Sequence, residues 1–215
     1  MENISNVFIT DCKQSHYLKP LRIHYTQNGK QMIWDVMKVH NSVAVLVYNV
    51  SRDVLVFVKQ FRPAVYYCSV QKEVSRDDDG RETIDTGKFP ASHGITYELC
   101  AGIIDKDMSF QETAQAEVLE ECGYKVPLEK FQRITSFRAG VGTTGALQEL
   151  YYVEVTDDQR VGKGGGIVEE GELIDVVEVP VDQGKNLLMD ETIQKPAAFL
   201  FALMWFYENI RKASK

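Results

Sequence analysis

Three glutamates near the end of one helix constrain this chain more than any other feature of its sequence. Residues 110–122 carry helical signals at both ends. Ser109 followed three residues later by Glu112 makes a capping box, and Gly123 is placed to stop the helix. On that helix Glu117 and Glu121 stand at i and i+4 on one face, and Glu120 flanks them. The three carboxylates repel one another. They also lie at the C-terminal end, where the macrodipole disfavours anions. Nothing basic compensates one turn away: Thr113 and Ala116 precede them, Tyr124 follows, and Lys125 lies beyond the glycine. A Glu-Glu pair on a helix is ordinarily a solvated acidic face. Here the flanking Gly102 and Gly123 favour another resolution, a hard divalent cation such as magnesium held by carboxylate oxygens.

The rest of the chain alternates strand and helix patterns. Residues 21–25 and 31–37 are β-rich and flank Asn28-Gly29, a type I′ hairpin signal that puts Trp34 on the second strand. Residues 43–48 and 54–59 are rich in valine, with turn residues between, and predict a second hairpin buried on at least one face. Residues 71–94 hold Asp77, Asp78, Asp79 and Gly80 and little that could enter a core, which predicts a long mobile loop. Strands are expected over 96–100, 131–137, 147–155 and 172–179, with a glycine-rich loop over 162–166. Phe199, Leu203, Phe206 and Tyr207 at helical spacing predict a core-facing helix over 196–210. Several strands interrupted by two or three helices predict a mixed sheet packed between helices, an α/β (α+β) fold.

Length and composition bound the function. The 215 residues suit one domain of ordinary size with a small appendage. A net charge of −7 and the lack of any Lys/Arg cluster argue against nucleic acid as a partner. Cys12, Cys68, Cys100 and Cys122 form neither a C-x-x-C pair nor a zinc-like spacing, so free thiols in a reducing compartment are expected. Residues 1–11 lack a basic region followed by an apolar run, and the apolar stretch 197–207 is too short to span a bilayer. The expectation is a cytoplasmic protein with no membrane contact.

Two further features carry chemistry. Gly164, Gly165 and Gly166 precede Glu169-Glu170-Gly171-Glu172. A glycine hinge before clustered carboxylates suits a loop that closes over a substrate, although solvated acidic turns are common. Arg62, after the valine-rich run, reads on its own as a surface arginine at a strand end.

With its flanks, the glutamate helix resembles the box of the Nudix hydrolases, G-x5-E-x7-R-E-U-x-E-E-x-G-U, where U is a bulky apolar residue. Gly102, Glu117, Val118, Glu120, Glu121, Gly123 and Tyr124 stand at the expected spacing, while Met108 and Ala116 replace the first glutamate and the arginine. The resemblance runs through most of the chain and is to the ADP-sugar and UDP-sugar diphosphatase branch. Gln60-Phe61-Arg62 with Tyr66 resembles its Q-[FY]-R-x-x-x-Y segment, and Glu98-Leu99-Cys100-Ala101-Gly102 its E-x-P-A-G, with Cys100 for proline.

That resemblance implies the Nudix fold, an α/β/α sandwich with a mixed sheet over residues 41–215. A small N-terminal β segment, residues 1–40, would precede it and form a homodimer. It implies Mg2+, with Mn2+ as a substitute, held by Glu117, Glu121, Glu172 and the carbonyl of Ala101. Glu120 would be a catalytic carboxylate close by. Glu170 would be the general base, with Glu169 its rival. Arg62 would bind substrate phosphate, where a planar fork of donors is useful. Glu98 would contact the sugar or orient Arg62. Trp34 and Tyr17 would stack on the base, unless Trp34 is core of the hairpin. The implied reaction is hydrolysis of the diphosphate bond of a nucleoside diphosphate sugar, with UDP-glucose favoured and UMP and glucose 1-phosphate as products. Hydrolysis of ADP-ribose and non-catalytic nucleotide-sugar binding are the alternatives.

Overall fold

Two valine-rich runs, each with both faces buried, organise the molecule. The computed structural model describes residues 3–15, 17–77 and 79–211, and the side chain of Glu170 lies outside that description. In chain order the strands are β1 (Val7–Ile9), β2 (Lys19–Gln27), β3 (Lys30–Lys38), β4 (Ser42–Asn49), β5 (Val54–Phe61), β6 (Ser75–Arg76) and β7 (Glu82–Ile84). They continue as β8 (Ile95–Glu98), β9 (Cys100–Ile103), β10 (Gln132–Ala139), β11 (Ala146–Val155) and β12 (Ile174–Pro180). The helices are α1 (Pro63–Val70), α2 (Phe110–Cys122), the one-turn α3 (Val181–Gly184) and α4 (Asn186–Met189), and α5 (Ala197–Asn209).

The main sheet runs β10-β11-β4-β5-β12, with β8 on β5 and β9 on β4. Among the described strands of this sheet, β11 and β4 pair parallel and the other pairs are antiparallel, so the sheet is mixed. Val43, Val45 and Val47 of β4 pack with Ala114, Val118 and Cys122 of α2. The alternate residues Ala44, Leu46 and Tyr48 pack with Phe199, Leu203 and Phe206 of α5. Helices on both faces explain why β4 reads as a continuous apolar run rather than an alternating one. Each fully buried phenylalanine of α5 contributes about 1.5–3 kcal/mol.

The two central strands stay together only briefly. β4 and β5 pair from Val47–Asn49 to Val54–Val56, beside their turn. Beyond that they part. β9 then takes the edge of β4 over residues 42–45, and β8 takes the edge of β5 over residues 58–61. Leu99, 2% exposed, joins the two inserted strands. The single strand expected over 96–100 is therefore two strands lining opposite sides of the gap.

Two further expectations are corrected. Residues 71–94 are not one long loop: they hold β6 and β7, and β7 pairs with β1 from the start of the chain. Ile84 is buried there with Tyr66 and Val70, and Val7 and Ile9 pack against them, so a few apolar residues suffice. Arg62, which reads on its own as a surface arginine at a strand end, directly precedes an unpredicted helix, α1, because Pro63 fits the first turn of a helix.

The β2–β3 hairpin forms as expected around Asn28 and Gly29, whose φ values of 50° and 77° suit a type I′ turn. It is a separate two-stranded sheet. Leu21 opposite Val36, Ile23 opposite Trp34 and Tyr25 opposite Met32 make one face apolar. Trp34 is not core: it is 52% exposed, and its indole N–H donates to the Gly142 carbonyl at 2.9 Å. The Met37 amide also tethers the hairpin, donating to the Thr143 carbonyl at 2.8 Å. Among the described residues, no helix is long and apolar enough to cross a membrane.

Candidate active site

Helix α2 begins and ends where its capping signals say. Ser109 accepts from the Glu112 amide and Glu112 accepts from the Ser109 amide, while Gly123 closes the helix at φ 78°. Glu117, Glu120 and Glu121 are thereby fixed in its last turns. Glu121 is buried, and its Oε2 accepts the Ala101 amide of β9 at 2.9 Å. Glu117 lies directly over Gly102, where a Cβ would fall inside its carboxylate. A side chain at 102 would therefore displace the Glu117 carboxylate from its place over the strand.

These carboxylates resist their own ionisation. Burial pushes Glu121 up to about 8, and the charges of Glu117 and Glu172 add to it against the Ala101 amide and Cys100 thiol. Burial also raises Glu117 to about 7, with help from Glu120, Glu172 and Asp105 and opposition from Lys106. Lys106 is therefore a basic counter-charge near a box whose arginine position is Ala116. Among the described residues, no three His, Cys, Asp or Glu already stand at metal-ligand spacing. The donor set nevertheless fits a hard divalent cation: it is all oxygen, and its mutual repulsion is what such an ion relieves.

The glycine-rich loop docks on the C-terminal end of α2. Gly165 donates to the Glu121 carbonyl at 2.8 Å and Gly166 to the Glu120 carbonyl at 3.2 Å, which satisfies two otherwise orphaned groups. Gly164 has φ 70°, and a Cβ on it would strike the Glu121 carbonyl. The docked loop delivers Glu172, whose Oε2 accepts the Ile167 amide at 2.9 Å. Between them Val168–Glu170 forms a 3-10 turn closed by Gly171. Glu169 is exposed in that turn, and the side chain of Glu170 is outside the described residues.

Across the gap, Arg62 and Glu98 form a two-pronged ion pair. Nε donates to Oε1 and Nη2 to Oε2, both at 2.8 Å. Burial alone would raise the Glu98 carboxyl, but the bonds and charge of Arg62, with Thr96, hold it below the usual carboxylate range. Hydrogen bonding to Glu98 raises the Arg62 guanidinium, and the fields of Glu121 and Glu172 also reach it. Glu117, Glu121, Glu172, Arg62 and Glu98 thus share one electrostatic site. Trp34 is held instead at the β10–β11 turn through Gly142. Thr96, buried and bonded to Glu98, escaped the sequence reading. The only signal was its place two residues before Glu98, on the same face of a strand.

Comparison with known proteins places this geometry. No family model matches the chain. It is 44% identical to the uridine diphosphate glucose pyrophosphatase NUDT14 of Bos taurus, over 98% of this chain and 97% of that one. The chain is a Nudix hydrolase. The Mus musculus protein of the same name is 40% identical to this Nudix hydrolase over the same shares. A GDP-mannose pyrophosphatase of Enterobacter sp. (strain 638) is 28% identical, over 74% of the Nudix hydrolase and 70% of itself.

Proposed function

We propose that this Nudix hydrolase cleaves the diphosphate bridge of nucleoside diphosphate sugars, with UDP-glucose preferred, giving UMP and glucose 1-phosphate. The observation that carries the reading is the shared site: a carboxylate cluster suited to a cation lies within electrostatic reach of an arginine fork suited to phosphate. A diphosphate needs both. The Bos taurus and Mus musculus relatives, both uridine diphosphate glucose pyrophosphatases, support the sugar nucleotide.

Glu117, Glu121, Glu172 and the Ala101 carbonyl would hold Mg2+, with Mn2+ as a substitute, and Glu120 adds negative charge beside them. Bound there, the ion supplies charge neutralisation at phosphoryl oxygens and a lower pKa for water. Glu170 accepts the proton of the attacking water, with Glu169 next to it as the other candidate. Water oxygen bonds to phosphorus as the bridging P–O bond breaks, and the proton passes from the carboxylate to solvent. Arg62 grips the diphosphate from the opposite side of the gap, oriented by Glu98. Trp34, half-exposed on the hairpin and held at the β10–β11 turn, would stack on the base in the partner's site rather than its own.

The same proposal includes a homodimer built through residues 1–40, with residues 41–215 as the hydrolase domain; residues 1–2, 16, 78 and 212–215 lie outside the described residues. Support comes from the β2–β3 hairpin, because an isolated two-stranded sheet with an exposed apolar face is only marginally stable alone. A cytoplasmic setting accords with four free thiols.

Product chromatography after incubation with UDP-glucose or ADP-ribose, with and without Mg2+, tests the reaction. UMP released from UDP-glucose only with metal, and faster than AMP from ADP-ribose, is expected. Faster AMP release would replace the substrate. No product from either would leave nucleotide-sugar binding without turnover.

A further inference from the structure

We infer that Thr96 is a positioning residue for Arg62, acting through Glu98; the inference rests on the reading of Arg62 as the diphosphate grip. Thr96 and Glu98 are two residues apart on β8, so their side chains share a face. Thr96 Oγ1 lies 2.6 Å from Glu98 Oε1 and 3.3 Å from the Gln60 carbonyl. One hydroxyl proton serves one acceptor at a time, and the closer, ionised acceptor takes it. Glu98 Oε1 therefore accepts from both Thr96 and Arg62 Nε, while Oε2 accepts from Arg62 Nη2.

The consequence is directional. Glu98 engages only the Nε–Nη2 edge of the guanidinium. Both Nη1 hydrogens and the second Nη2 hydrogen remain for phosphate oxygens. The chain of bonds runs from a fixed point to a solvated one. Thr96 is 4% exposed, paired with Gln60 across β5–β8 and followed by Tyr97, whose amide donates to the Gln194 carbonyl at 2.8 Å. Side-chain exposure then rises from 13% at Glu98 to 44% at Arg62. An arginine that exposed loses substantial rotamer entropy when it grips a ligand, unless it is already held. A buried β-strand position of this shape would accept valine, so the hydroxyl is what the site needs from threonine.

Thr96→Val removes the hydroxyl at constant volume, and Thr96→Ser keeps it. With Mg2+ present, Thr96→Val is expected to raise KM for UDP-glucose and weaken UDP binding in calorimetry, each roughly tenfold. The change in kcat is expected to stay under about twofold. Thr96→Ser should behave as wild type in both assays. In an Arg62→Ala background, Thr96→Val should add no further loss, because its route to the ligand is gone. Losses that add in that background overturn the inference. So does a Thr96→Ser variant as impaired as Thr96→Val, or a Thr96→Val variant that binds UDP normally. Wild-type turnover reports on the substrate reading separately. A wild type that binds UDP without hydrolysing UDP-glucose still lets binding decide the role of Thr96, whereas one that binds no UDP overturns both.

Discussion

Glu121 is a carboxylate almost without water, 2% exposed, in a cluster of its own charge. That placement fixes how the metal-free protein responds to pH. Glu117 and Glu121 hold their protons to about 7 and about 8 when folded, against a reference of 4.5. Between those limits the folded state binds more protons than the unfolded one, so stability falls as pH rises from about 5 to about 8. Carboxylates held low by arginine, Glu98 and Glu178 among them, titrate beneath that window. Metal binding needs the deprotonated ligands, so the stabilisation conferred by Mg2+ should grow over the same interval. Thermal unfolding in chelator and in Mg2+ at both ends of the window checks this. A metal-free Tm that climbs with pH would contradict the carboxylate assignment. Glu121→Gln should flatten the slope, keep the fold and lower kcat/KM by at least about a hundredfold; near-normal turnover in that variant would remove Glu121 from the metal site.

At the scale of elements, the site depends on one helix end and one loop closing on each other. Gly164 sits at φ 70° against the Glu121 carbonyl, so Gly164→Ala meets both backbone strain and a clash. A loss of about 1–3 kcal/mol in chemical denaturation is expected, together with reduced turnover as Glu172 shifts. An unchanged midpoint would mean that the loop does not dock there. Helix α2 was legible in the sequence because its signals are local: the capping box, the spacing of the glutamates and Gly123. The β1–β7 pairing was not, since β7 is polar and its partner lies at the far start of the chain. Helix α1 was missed because its cue, Pro63, serves loops equally well. Thr96 was invisible for a different reason. Its role arises only when Arg62, from beyond β5, reaches across to the face of β8.

At the scale of the molecule, the β2–β3 hairpin offers an apolar face that its own chain leaves largely exposed. Sedimentation should show a dimer, and Leu21→Glu with Ile23→Glu should give a monomer with unchanged helix content. A wild type that sediments as a monomer would end the dimer proposal. The α/β/α layering was readable from valine runs and helical periodicity, but the parting of β4 and β5 was not, because it depends on which strands insert between them. That parting has a consequence for how the enzyme can vary. The proposed anion grip belongs to the β5–β8 side and the proposed cation cradle to the β4–β9 side, yet Glu98 and Ala101 are three residues apart along one chain. Their backbone separation cannot exceed about 11 Å, whatever the helices do. Covalent geometry therefore bounds the backbone span between Glu98 and Ala101, while the packing of α2 and the glycine-rich loop sets where the carboxylates stand. Substitutions in the outer layers can loosen or tighten the sandwich while the backbone span from Glu98 to Ala101 stays bounded.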